Sequence, residues 1–414
     1  MFLTDQEKRM LDGKMGYPIQ KGMQIMTVLG ESFGAERMVD VASAHMPGAS
    51  IMLLGRAGMM FVEEMAAKGG QFRTFTTTNP TSCDDTLWEK LGISKEIVDL
   101  QTRLTAAYQQ LGAITCATCT PYFIGNAPRL GEHAAWGESS AVVYANSVLG
   151  ARTNREGGPT ALASSLTGKA PAYGMHLTEN RCGKLLIHVP RPLCGNFEYG
   201  ALGYHVGAIA KQATPVFTGI PANVSFDELK ALGSALATSG AVSLFHVVGA
   251  TPEAPTLEAA FGGKKPEATL EYTAGDEQAA SEHLNLEKSD HVDWVYLGCP
   301  HCSILEVRDI ARALAGKKVH RDVELWVNTS TAVRTLAQHM GYARAIEEAG
   351  GMIVCDTCPA HTPSKEMAKK QGYRTLTTDS AKMAHYVAGE EGFPTHYGST
   401  DKVIAAAIAK KWEG

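Results

Sequence analysis

The segment "HVDWVYLGCPHCSILEVRDIARALAG", residues 291–316, decides the fold. "HVDWVYLG" is an apolar run of strand type that stops at a glycine. "SILEVRDIARALAG" follows at once with helical spacing and a serine in the capping position. The pattern then repeats. "VELWVN" is a strand and "TAVRTLAQHMG" a helix; "MIVCD" is a strand and "TPSKEMAKKQG" a helix. "YRTLTTD" is a further strand, and "TDKVIAAAIAKKW" closes the chain as a helix. Parallel neighbours need a crossover and antiparallel ones do not, so this alternation with short connections means a parallel sheet with crossover helices.

The rest of the chain reads outward from that unit. "TDQEKRMLDG" is a short helix with Thr4 as N-cap and Glu7 in the capping-box position. "KGMQIMTVLGESFG", "GRAGMMFVEEMAAKGG" and "SKEIVDLQTRLTAAYQQLG" are further helices, the last running from Ser94 to Gly112. "QFRTFTTTNPTSCDD" is a strand entering a polar loop, and "AITCATCTPY" a short strand and loop. The middle third is rich in Gly, Ala, Ser and Asn, which lets backbones and ligands approach closely. "KLLIHVPR" and "AVSLFHVVG" are strands there. The Pro/Gly/charge-rich stretch 250–269 reads as a domain boundary or a surface excursion. The expectation is α/β: an N-terminal domain 1–125, a middle domain 126–285 with a Gly/Asn/Arg-rich substrate segment, and a C-terminal parallel domain 286–414.

Composition narrows the function. The 414 residues are 44% hydrophobic and 20% charged, with a net charge of −5. That is an ordinary globular chain and argues against a nucleic-acid binder. The opening "MFLTDQEKRMLDG" is charged too early for a signal peptide. No apolar run is long enough to span a membrane. A cytoplasmic protein is expected, in which nine cysteines, an odd number, stay reduced.

Six of them form C-x-x-C pairs: Cys116 and Cys119, Cys299 and Cys302, Cys355 and Cys358. Ligands of open parallel sheets bind beyond the carboxyl ends of the strands. Cys299 and Cys302 end one strand, Asn328, Thr329 and Ser330 the next, Cys355 and Cys358 the third, and Thr377 to Ser380 the fourth. All open onto one edge. Four-cysteine zinc, which would make a stapled non-catalytic scaffold, and a redox dithiol, which would make a thiol oxidoreductase, are both chemistries of such pairs. An iron–sulfur cluster held from separate loops fits strand ends of a large sheet better. Cys83, Cys182 and Cys194 read as packing residues.

"TCTPYFIGNAPRLGEHAAWGESSAVVYANSVLGARTNREGGP", "GCPH", "CDTCP" and "TDSAKMAHY" together resemble the aconitase X family, and the resemblance runs over nearly the whole chain. It implies an aconitase-like fold, with several α/β domains around a central cleft. It implies a hydro-lyase that dehydrates a small hydroxy acid, mevalonate 5-phosphate or cis-3-hydroxy-L-proline. The chain's length resembles the large subunit of the two-subunit form, whose small swivelling-domain subunit is encoded separately. It implies an iron–sulfur cluster, [4Fe-4S] or [2Fe-2S], on Cys119, Cys299 and Cys358, one from each pair. Cys302 stands where the resemblance leads one to expect a small residue. Three thiolates leave one iron open as a Lewis acid for the departing hydroxyl. By the same resemblance, the base is a serine of the small subunit.

The remaining candidates come from residue chemistry. Arg152 and Arg155 offer bidentate donors to a carboxylate or phosphate. Asn146 and Asn154 can orient hydroxyls, and Ser43, His45 and Asn79 read as substrate contacts in loops after strand-like runs. Glu132 and His133 could move a proton, and Ser380 and Lys382 stand at a strand end and helix start.

Overall fold

The structure, a computed structural model, describes residues 1–413, with the side chains at 390 and 391 left aside. Its C-terminal part is a five-stranded parallel sheet. In spatial order the strands are Met352–Cys355, Glu324–Thr329, Trp294–Leu297, Leu376–Thr378 and Thr395–Tyr397. The chain builds outward on one side of Trp294–Leu297 and then returns to build on the other. Such an order reversal opens a crevice beyond the carboxyl ends. All four residues of Trp294–Leu297 are buried. A strand covered on both faces shows a continuous apolar run instead of alternation. On one face Val295 and Leu297 meet Val307, Ile310, Ile346 and Ile404. On the other, Trp294 and Tyr296 meet Trp326, Met367 and Met383. The helix Ile304–Leu314 starts at a full capping box of Ser303 and Glu306, so the chain turns straight from the Cys302 loop into helix.

Two smaller parallel sheets precede it. The first is ordered Phe75–Thr78, Ser43–Met46, Ala134–Trp136. The second is ordered His246–Val247, Pro215–Thr218, Leu185–His188, Ala268–Glu271. The strands Met38–Asp40 and Lys169–Pro171 form a separate antiparallel pair. Helix Gly158–Thr167 joins the core of the first sheet through Ala161, Leu162 and Leu166, so residues well past Ala134–Trp136 build the N-terminal unit.

The expected Thr4–Glu7 capping box forms, and Ser94 caps the helix Lys95–Gln110. The helix expected at "GRAGMMFVEEMAAKGG" begins earlier, as Ile51–Ala67, with Gly55 breaking it at φ 68°. The stretch 250–269 runs mostly exposed around the short helix Leu257–Phe261 and leads into the edge strand Ala268–Glu271. Three short elements carried no usable sequence signal: Pro215–Thr218, Tyr342–Ala349 and Thr395–Tyr397. Among the described residues no helix is long and apolar enough to cross a membrane.

The strand end before Cys299 depends on one glycine. Gly298 has φ 107°, and a Cβ there would stand 2.3 Å from the Asn328 carbonyl oxygen. Gly298→Ala is expected to cost about 2–5 kcal/mol, combining left-handed strain with overpacking. Gly316→Ala, with φ 71° but open space around it, should cost only about 1–2 kcal/mol. Denaturant unfolding of the two variants checks the ranking.

Candidate active site

Two of the C-x-x-C pairs lie at or past the ends of buried strands, and the first follows the isolated bridge residue Ile114. Each of the three loops contains one left-handed position: Ala117 at φ 45°, Gly298 at φ 107° and Asp356 at φ 63°. Left-handed backbone in Ala and Asp is strained and persists where its surroundings hold it. The holding element is His301, the third residue of its own C-x-x-C. Its Nδ1 lies 3.1 Å from the Thr118 hydroxyl, inside the first pair. Its Nε2 lies 3.0 Å from the Thr357 carbonyl, inside the third. Its backbone N–H donates to Cys119 Sγ at 3.2 Å. Burial holds the ring's pKa down to about 4, so it is neutral. A carbonyl only accepts, so Nε2 carries the hydrogen and Nδ1 accepts from Thr118. Asn328 Nδ2 and the Thr81 carbonyl complete the tie, at 2.7 Å each, from the Thr357 carbonyl and hydroxyl.

This lacing separates the members of each pair. Cys299 acts electrostatically on both Cys119 and Cys358. Each of these three keeps part of its surface accessible. Cys116 turns instead to the Thr78 carbonyl, at 3.5 Å. Cys302 is buried toward Lys230 and Glu306, and Cys355 toward Asp84, Asp356 and Arg334. All nine cysteines are free. Desolvation raises the Cys119 and Cys299 thiols and pushes Cys358 up to about 12.

A buried ion pair borders the three thiols. Lys382 Nζ donates to Glu138 Oε1 at 2.6 Å, with the Ser139 and Ser140 hydroxyls at 3.3 and 3.4 Å. Glu138 Oε2 caps the helix Ser139–Ser147 through the Ala141 amide, at 2.6 Å. Burial alone would raise the Glu138 carboxyl, but Lys382 and these hydrogen bonds bring it down to about 2. Burial likewise opposes the Lys382 ammonium, and Glu138 and Cys299 outweigh it. Ser380 donates to the Cys299 carbonyl and caps the helix Ala381–Tyr386, so its hydroxyl is spent on holding the loop.

The first sheet contributes a polar wall. His45 Nδ1 meets the Thr77 hydroxyl at 2.9 Å, while its Nε2 is buried without a partner. Burial lowers this ring to about 4; Asn79 and Glu138 act on it in the opposite sense. Asn79 Oδ1, Asn126 Oδ1 and His361 Nδ1 are likewise buried and unpartnered. Leaving such groups unsatisfied costs about 1–3 kcal/mol each. Arg155 is exposed beside Trp136, at the strand's carboxyl end, and makes no ion pair with Glu156 among the described residues.

Other sequence candidates stand elsewhere. Ser43 is at the start of its strand and accepts from Trp136 Nε1 at 3.0 Å. Glu132 accepts from its own loop, at the Arg129 amide, 2.7 Å away. His133 pairs with His176, Nδ1 to Nδ1 at 3.0 Å, and bridges to Arg152 before Ala134–Trp136 begins. Arg152 donates to the His176 carbonyl and the Thr178 hydroxyl. Asn146 is fully engaged with Thr153, Ser243 and Arg181. Asn154 ties Tyr173 to Met175. The structure therefore does not bring Glu132, His133, Asn146, Arg152 or Asn154 to the thiols. It adds Glu138, His301, His361 and Asn126, which sequence reading passed over. The one signal for Glu138 was an acid at a helix start just after a strand, in "AAWGESS".

The donor set fits an iron–sulfur group better than a single ion. Among the described residues no three His, Cys, Asp or Glu side chains are arranged to hold one metal ion. A zinc centre draws its sulfurs to about 2.3 Å from one point. A multi-iron cluster takes each thiolate on a different iron, which suits three thiols from three separate loops.

If His301 holds the loops, His301→Ala removes two hydrogen bonds between them, leaving the Thr118 hydroxyl to Thr120 and the Thr357 carbonyl to Asn328. A loss of about 0.5–1.5 kcal/mol per hydrogen bond is expected. In the folded protein, Cys119 should alkylate faster than in wild type. Unchanged unfolding midpoints and alkylation rates would show that the loops stand without it.

Models of the aconitase X first, second and third domains match residues 1–179, 183–282 and 292–409. The phosphomevalonate dehydratase large subunit of Methanothermobacter thermautotrophicus is 46% identical, over 96% of this chain and 96% of its own. The cis-3-hydroxy-L-proline dehydratase of Hypocrea jecorina is 34% identical, over 98% of this chain and 68% of its own. The crystal structure of Thermococcus kodakaraensis aconitase X in its holo-form matches with a TM-score of 0.88 at 36% identity, covering 98% of this chain and 100% of that one. Three domain matches in order, a shared fold and full-length similarity to dehydratases lead to one conclusion: the chain belongs to the aconitase X family of hydro-lyases.

Proposed function

We propose that the chain is the large subunit of a two-subunit, iron–sulfur-dependent dehydratase whose substrate is mevalonate 5-phosphate. The observation that carries this reading is the electrostatic action of Cys299 on Cys119 and Cys358, three thiols from three separate loops, beside a buried lysine–carboxylate pair. When bound, the cluster would supply an open iron as a Lewis acid for the leaving hydroxyl. The chain's own residues hold and orient. His301 fixes the loops, and Lys382 places a cation beside the thiolates. Asn126 Oδ1 and His361 Nδ1, buried without partners, face outward from the chain's own hydrogen bonds toward substrate hydroxyl groups, and His45 and Asn79 stand within reach of each other. Arg155 offers a guanidinium fork to an anionic end. The proton-abstracting base comes from the small subunit.

The choice of substrate rests on similarity. The relatives that this chain matches end to end, at 46% and 39% identity, are named phosphomevalonate dehydratase large subunits. The hydroxyproline enzymes are 34% identical, and the chain spans 68% and 69% of their length. Thiol exchange is disfavoured because raised thiol pKa values suppress the reactive thiolate.

Purified anaerobically with the small subunit, the complex should be brown and should dehydrate mevalonate 5-phosphate but not cis-3-hydroxy-L-proline. The large subunit alone should turn over little. Cys119→Ser, Cys299→Ser and Cys358→Ser should each abolish the visible absorbance and the activity. Cys116→Ala, Cys302→Ala and Cys355→Ala should keep the absorbance. A colourless complex with stoichiometric zinc would point to the stapled scaffold instead.

A further inference from the structure

The Glu138–Lys382 pair does more than fill space. It joins residues 244 apart in sequence, one capping the helix Ser139–Ser147 and one in the first turn of Ala381–Tyr386. Both side chains are buried. Three donors sit on the Lys382 ammonium, and Glu138 Oε1 and the Ser139 and Ser140 hydroxyls face it. Its hydrogen-bonding capacity is thus spent on the N-terminal unit, leaving no donor for a substrate anion. What remains is its charge. That charge acts on Cys119 and Cys299 together, and Glu138 acts on the same two thiols with the opposite sign.

We propose that Glu138 is a positioning residue of this site: its carboxylate clamps the Lys382 ammonium beside the Cys119 and Cys299 sulfurs and so sets the charge around the group those thiols hold. The inference rests on the cluster reading above. The clamp is anchored at both ends. The Ala141 amide and Ser140 hydroxyl fix Glu138 Oε2 at 2.6 and 2.7 Å. Lys382 is fixed by the short helix that Ser380 caps, and Ser380 also holds the Cys299 carbonyl. One carboxylate therefore links the Cys119 side of the site to the Cys299 side. The pair contributes no net charge while intact. Removing either member alone leaves an uncompensated charge beside the thiolates, and cluster potentials respond to nearby charge.

The test is an anaerobic redox titration of the reconstituted two-subunit complex, read by visible absorbance. Glu138→Gln removes a negative charge and should raise the cluster's midpoint potential. Lys382→Met removes a positive charge and should lower it. The double variant should return close to wild type, and a purely structural role would not give opposite signs that cancel. Turnover should fall at least ~10-fold in Glu138→Gln, with KM changed much less, and Glu138→Asp should recover part of it. If the single variants do not fold around a cluster, the double variant still decides: a loaded double variant supports a mutually compensating pair, and an unloaded one overturns it. Equal potentials in all variants, or shifts of one sign in both single variants, also overturn the inference while leaving the functional reading intact. A wild-type complex that takes up no cluster overturns the functional reading, and this inference falls with it.

Discussion

The arrangement of this site depends on one buried imidazole. His301 accepts from the Thr118 hydroxyl, donates to the Thr357 carbonyl and offers its backbone N–H to Cys119. Each of these contacts reaches a different C-x-x-C loop from the one His301 occupies. Loops beyond strand ends have few obligatory partners of their own. Without a shared tie, three loops from distant segments would hold their thiols in independent positions. A neutral, fully desolvated ring can bridge a donor and an acceptor at once, which a charged one could not.

The tie acts on chemistry through sorting. Within each pair the two sulfurs have different neighbours, Cys299 and Cys358 lying against the core that contains Trp294 and Tyr296. Cys302 and Cys355 are buried in the core of the five-stranded sheet, and Cys116 rests on a strand-end carbonyl. The left-handed residues Ala117 and Asp356 are the local cost of that sorting, since an ordinary turn would face both sulfurs similarly. The three sorted thiols are desolvated, so their thiolates need a compensating cation or metal. Lys382 supplies one positive charge and Glu138 moderates it. His45 of the first sheet and Asn79, just past its end, add buried polar groups that act on each other.

Much of the architecture was readable from residue order. Alternating strand and helix periods announced the parallel C-terminal sheet, and strand ends announced the edge on which chemistry sits. Short elements were not readable. Pro215–Thr218 and Thr395–Tyr397 are too brief to carry a period, and neighbouring strands define them. Among site residues, the arginines and asparagines of "NSVLGARTNREGG" looked alike as anion binders. The fold spends Asn146, Arg152 and Asn154 on carbonyls and amides of the chain itself and leaves Arg155 exposed. Nothing in the order of residues distinguishes these fates, because hydrogen-bond partners are assigned by packing.

By itself the sequence determined the fold class, the strand-end placement of the cysteines and the family likeness, because these rest on local periodicity and contiguous motifs. Packing alone established that His301 binds the loops together and that Glu138 meets Lys382. Those outcomes depend on groups 56 to 244 residues apart. Such contacts form only once the sheets have packed, and their geometry is set by burial and the need to satisfy every polar group, which no local pattern encodes.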